Sequence, residues 1–157
     1  MKKIATIAVL IVAVTAGFAS AAEQATLEVV NAYARAVPPS APNSAAFMLI
    51  RNHGDADRHL VSAESDVSNV TELHNHINDN GVMRMRQVPR ITVPANGSVE
   101  LKPGSYHVML IGLKQSLKEG DKVNLKLEFD DGSEQAMQLE ARKVMGAMHK
   151  HGEHKHH

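Results

Sequence analysis

With 157 residues, 43% of them hydrophobic, and a formal charge of zero, the chain has material for one core and no field to attract nucleic acid or an anionic membrane. It contains no cysteine, which excludes disulfides and thiolate ligands, and its 3% aromatic content is too low for a platform that stacks bases or sugars.

The first segment reads as an address rather than as structure. Lys2 and Lys3 precede an apolar run from Ile4 to about Ala16, which ends in Gly17-Phe18-Ala19-Ser20-Ala21-Ala22. That order is the pattern of a secretory signal peptide over residues 1–22, cleaved after Ala21 or Ala22. The run is too short for stable membrane insertion, and a lipid anchor would need the cysteine this chain lacks. Without Lys2 and Lys3, 15 basic side chains stand against 17 acidic ones, a net charge of −2 for the exported form.

From residue 23 to residue 143 the pattern is that of one β domain. Strands are expected at Leu27–Val37, Ala45–Ile50, His59–Ser65, Val70–Ile77, Val82–Val88, Ser98–Leu101, Tyr106–Leu113, Val123–Phe129 and Glu134–Ala141. Turn chemistry separates them at Pro38-Pro39, Asn52-His53-Gly54, Asn78-Asp79-Asn80-Gly81, Asn96-Gly97, Pro103-Gly104 and Asp130-Asp131-Gly132. Short strands at this spacing point to an all-β sandwich or Greek-key barrel. The one helical candidate, Lys114 to Glu119, is a loop or a single turn.

Residues 144–157 change character. Met145, Met148, His149, His151, His154, His156 and His157 alternate with Gly, Glu and Lys, and nothing there can build a core. The composition is that of a flexible, disordered metal-binding tail.

Inside the domain, His74, Met85, His107 and Met109 form a soft donor set of two imidazoles and two thioethers. Imidazole with thioether suits monovalent copper rather than magnesium or calcium. His107 and Met109 share a strand face because side chains alternate. If the Asn78–Gly81 turn is centred between Asp79 and Asn80, His74 faces Met85 and His76 faces Met83, all on one face. His76 and Met83 are then auxiliary residues, and Arg84 and Arg86 point away on a solvated face with Arg90 nearby. Blue-copper electron transfer needs a thiolate and is excluded, while structural zinc would prefer donors other than methionine. Taken singly, a strand methionine is more often core filling than a ligand; two His/Met groupings on shared faces shift that balance.

The order His74, ten residues, Met85, twenty-one residues, His107-x-Met109 resembles the signature of the periplasmic copper chaperone family PCuAC. Further segments continue the likeness: Tyr33-Ala34-Arg35, Pro38-Pro39, Ala45-Ala46-Phe47, Gly81-Val82-Met83-Arg84-Met85-Arg86 and Leu101-Lys102-Pro103-Gly104. The resemblance runs from about Ala25 to Lys143. It implies a cupredoxin-like β-barrel in the periplasm, a monomer, holding Cu(I) at its surface. It implies delivery toward the CuA centre of cytochrome c oxidase subunit II, directly or through a Sco-type thiol protein. It implies a carrier with no catalytic residue; the tail lies outside the shared domain, and its composition suggests a second copper bound there as Cu(II). The alternative reading is general periplasmic copper or transition-metal sequestration; a small copper oxidase or dismutase is disfavoured by two thioethers.

His53 and His59 flank Gly54-Asp55-Ala56-Asp57, which lacks EF-hand spacing and reads as a solvated turn. No acid/base pair, phosphate loop or nucleophile elbow is present.

Overall fold

The computed structural model describes residues 26–144. The expected signal peptide and the tail donors Met145, Met148, His149, His151, His154, His156 and His157 lie outside the described residues.

Ten strands account for the regular structure: β1 (Leu27–Arg35), β2 (Asn43–Asn52), β3 (Arg58–Ser65), β4 (Ser68–Asp79), β5 (Val82–Gln87), β6 (Ile91–Val93), β7 (Ser98–Leu101), β8 (His107–Leu113), β9 (Lys122–Phe129) and β10 (Glu134–Arg142). The all-β expectation holds. Among the described residues there is no helix, and the Lys114–Glu119 candidate is a loop pinned by buried Leu117. Its carbonyl accepts a hydrogen bond from the Val37 N–H at 2.9 Å. Among the described residues no helix is long and apolar enough to cross a membrane.

The strands follow one hydrogen-bonded path, β5-β4-β8-β2-β1-β10-β9-β3-β6, with β7 also paired to β2. All pairings are antiparallel except β1 with β10. The alternation that makes strands also makes the core. In β9, Val123, Leu125, Leu127 and Phe129 turn inward while Lys122, Asn124 and Glu128 turn out. One cluster joins these to Leu60 of β3, Leu73 of β4, Ile50 of β2 and Leu110 of β8, so strands from both ends of the path share a single interior.

β6 was not expected. Its three residues, set between Pro89 and Pro94, are too few to show alternation, yet Ile91 and Val93 are fully buried against β3.

The β4–β5 hairpin differs from the expected register by two residues. His76, not His74, faces Met85; His74 faces Gln87, and Met83 faces Asn78. The cause is the turn. Asn80 and Gly81 have φ of 52° and 86°, the two consecutive positive values that a tight two-residue hairpin requires. The Gly81 N–H is held by Asn78 Oδ1 at 2.7 Å. A shift of two preserves the faces, so every expected donor stays on the side assigned to it.

Candidate metal centre

The donors occupy three neighbouring strands, β5, β4 and β8, at one end of the sheet path. On β4, Leu73 points into the core, which sends Glu72, His74 and His76 to the opposite face. On β8, Val108 and Leu110 are core residues, and His107 and Met109 therefore share that outer face. His74 lies directly across from His107, and Glu72 across from Met109. His74 is thus one diagonal step from Met85 on one side and from Met109 on the other, a span long side chains bridge. His76 is directly across from Met85 and one diagonal step from His107.

A cleft of about 650 Å³ opens over this face, lined by His76, Met85, His107, Met109 and Phe47, among others. Phe47 forms part of its floor, with its ring 6.3 Å from that of His107. Ala45, directly opposite Met109 on β2, is small enough to leave room beside the thioether. The depths of the donors differ. His107 is 2% exposed, whereas Met85, on the edge strand, is 45% exposed.

The imidazoles are oriented by their hydrogen bonds. The His107 Nδ1–H donates to the Ser105 carbonyl at 2.9 Å, which leaves the lone pair on Nε2. The His74 Nε2–H donates to the Glu72 carboxylate at 2.7 Å, which leaves it on Nδ1. Among the described residues, the buried side-chain atoms without any hydrogen-bond partner are His74 Nδ1, His76 Nδ1 and His107 Nε2. Leaving such an atom unmatched costs roughly 1–3 kcal/mol, and all three belong to this one site. A bound cation is the simplest way to satisfy them.

Burial, ahead of the opposing Ser105 bond and the neighbouring His76 and His74, pushes the His107 pKa below its ordinary value. The ring is consequently neutral near pH 7, with Nε2 available as a donor without first losing a proton. Among the described residues, no three His, Asp or Glu groups stand ready around one point. The candidate donors on this face are therefore imidazoles and thioethers together, not a cage of imidazoles and carboxylates.

Glu72 acts through His74, fixing its tautomer and ring angle. Glu72→Ala is expected to weaken metal binding by about 10–100-fold, with partial recovery in Glu72→Gln, while the melting temperature stays near wild type. Chelator competition beside a thermal melt checks this.

The family described as "Putative lipoprotein LpqE-like" matches residues 27–141. The chain belongs to this LpqE-like, PCuAC-related family. It is 32% identical over 105 residues to "Putative lipoprotein Lxx21020" of Leifsonia xyli, covering 66% of this chain and 63% of that relative. The chain therefore spans less than two thirds of that relative's length. The Cu(I) form of DR1885 from Deinococcus radiodurans is similar in sequence and structure: 34% identity, a TM-score of 0.63, and coverage of 81% of this chain and 87% of that one. The apo PCuAC domain of PmoF1 shares the fold at 20% identity, with a TM-score of 0.65 over 76% of this chain and 96% of that domain. The cupredoxin-like β architecture expected for this family is the one the chain adopts.

Sequence reasoning missed one neighbour of the candidate donors and misplaced another. Glu72 carried no signal, because its role depends on facing Met109 across β8 while touching its own strand neighbour His74. His76, expected to face Met83, faces Met85 instead, because the hairpin register is two residues off the expected one.

Proposed function

We propose that this protein is an exported copper carrier that holds Cu(I) through His74, Met85, His107 and Met109 and passes it on for assembly of the CuA centre of cytochrome c oxidase. The observation that carries the reading is the set of unmatched imidazole nitrogens beside a cleft lined by Met85 and Met109. Similarity to a protein solved in its Cu(I) form supports the choice of metal. The donor chemistry agrees, since thioethers favour the monovalent ion and do not form disulfides in an oxidising compartment.

A carrier must release what it binds. Met85 sits at the solvent edge and His107 at the base, so an incoming thiolate can displace the outer donor first and the buried imidazole last. The acceptor is subunit II of the oxidase or a Sco-type thiol protein in the periplasm. The role is non-catalytic, because the ion itself is the cargo.

The tail joins the same process. Lys143 and Val144, which precede the tail in sequence, line the cleft. The tail imidazoles suit Cu(II), and Met145 and Met148 suit Cu(I). Deleting residues 144–157 is expected to lower copper stoichiometry but leave the thioether site intact; unchanged uptake would remove the tail from the mechanism.

The direct test is transfer. Cu(I)-loaded protein mixed with the copper-free soluble domain of oxidase subunit II, with or without a Sco-type protein, is expected to generate the CuA absorption bands once one electron per centre is removed by added ferricyanide. Copper that stays on the donor under all these conditions would favour sequestration instead.

A further inference from the structure

We propose that β5 is a docking strand, whose free edge takes an extended, acidic segment of the protein that receives the ion. This rests on the copper-carrier reading and names the chemistry of its partner.

β5 and β6 end the sheet path. β6 has three residues and runs straight into Pro94, whereas β5 has six, all of them exposed. β4 pairs with β8 only as far as His74, so Asn75 to Asp79 and their partners Val82 to Arg86 continue past the end of β8 as a two-stranded arm. A ribbon of two strands is marginal alone, and a third strand stabilises it. Among the described residues six large apolar side chains stand exposed, and four of them, Ile77, Val82, Met83 and Met85, are on this arm.

The backbone of the arm has a free side. The Val88 N–H donates to the Leu73 carbonyl at 2.8 Å. Alternation along an antiparallel ladder then turns the amides of Val82, Arg84 and Arg86 toward β4 and those of Met83, Met85 and Gln87 outward. These outward groups are a template for main-chain pairing with another chain.

Charge selects what pairs there. Residues 75–90 carry Arg84, Arg86 and Arg90 against Asp79 alone, a net +2. Arg84 meets Asp79 at 3.1 Å, while among the described residues Arg86 and Arg90 meet no carboxylate. A second copy fits poorly, because a two-fold antiparallel pairing centred on Arg84, Met85 or Arg86 sets arginine against arginine. A strand with a carboxylate at every second position instead meets Arg84 and Arg86 with opposite charge. Its alternate side chains then fall beside Met83 and Met85. A thiol in that row stands next to the most exposed donor. As its sulfur bonds the ion, its proton leaves to water and the Met85 sulfur is released, with no change in oxidation state.

The copper-free full chain, mixed with two capped heptapeptides of identical composition, provides the test. Glutamate alternates with valine in one peptide and is grouped at one end of the other. The alternating peptide is expected to slow hydrogen exchange at the Met83, Met85 and Gln87 amides and to bind at least about fivefold more tightly than the grouped one. Arg84→Glu with Arg86→Glu is expected to abolish that preference, and lysine in place of glutamate in the peptide to restore it. Absent or equal binding of the two peptides, or protection away from β5, would overturn the proposal. Cu(I) affinity of the arginine variant, read by chelator competition, is expected to stay within about threefold of wild type, since these exposed charges are screened. A loss as large as that of Met85→Leu with Met109→Leu would place the arginines in the metal centre and also overturn it. Failure of the leucine pair to weaken Cu(I) would remove the carrier reading, while the exchange result on β5 stands by itself.

Discussion

Replacing Met85 and Met109 together with leucine is expected to weaken Cu(I) binding by more than about 100-fold while the protein still folds. The size follows from comparison, since even residues that only orient a ligand are worth about 10–100-fold. Here two of four donors are lost. Leucine nearly matches methionine in volume, and such exchanges usually cost less than about 1.5 kcal/mol. Met85 is largely solvent-facing, so its replacement perturbs little packing. The effect is thus chemical rather than structural. Competition with a Cu(I)-specific chelator measures it, and a parallel denaturant titration verifies the fold. Affinity within a factor of a few of wild type would mean that the thioethers are core filling and the imidazoles act without them.

The second large effect is on stability. Phe129→Ala is expected to cost about 3–5 kcal/mol, because the ring is 1% exposed and packs in the one cluster shared by both ends of the sheet path. Against a typical total of about 5–15 kcal/mol, that loss leaves a marginal domain. Urea unfolding checks it: the midpoint falls while the slope stays the same, because the surface exposed on unfolding is nearly unchanged. Met83→Ala provides the contrast. Met83 is 55% exposed on the edge strand, and its truncation is expected to stay within about 0.5 kcal/mol. Copper added to the Phe129→Ala protein raises its midpoint by mass action, since the ion binds the folded state. Absence of that rise would separate copper binding from the folded β domain.

Much of this architecture was legible in the residues, for local reasons. Strands such as Lys122–Phe129 announce themselves through alternation, and the turns through Gly, Asn and Pro at positions that need their backbone freedom. The face shared by His107 and Met109 follows from strand periodicity alone. β6 escaped notice because three residues carry no period, although Ile91 and Val93 close the core at the far edge of the path.

The site was legible as a set of donors and less so as an arrangement. The sequence Asn78-Asp79-Asn80-Gly81 permits more than one turn, and the choice between them rests on Asn80 and Gly81 both adopting positive φ. Register errors of two residues leave the face unchanged, which is why the candidate residues share the expected face although their pairings differ. Consequently His76, not His74, stands across from Met85. Glu72 and the Ser105 carbonyl were invisible for another reason. Each matters only through the ring nitrogen it occupies, and that depends on contacts the chain makes after folding.

X-ray absorption at the copper edge, on the Cu(I)-loaded full chain, tests the account most directly. It is expected to find both sulfur and nitrogen neighbours, with the sulfur contribution falling in the double leucine variant and the nitrogen contribution reduced in His107→Gln. A shell containing nitrogen or oxygen alone would contradict the account, because copper would then be held somewhere other than among these thioethers and rings.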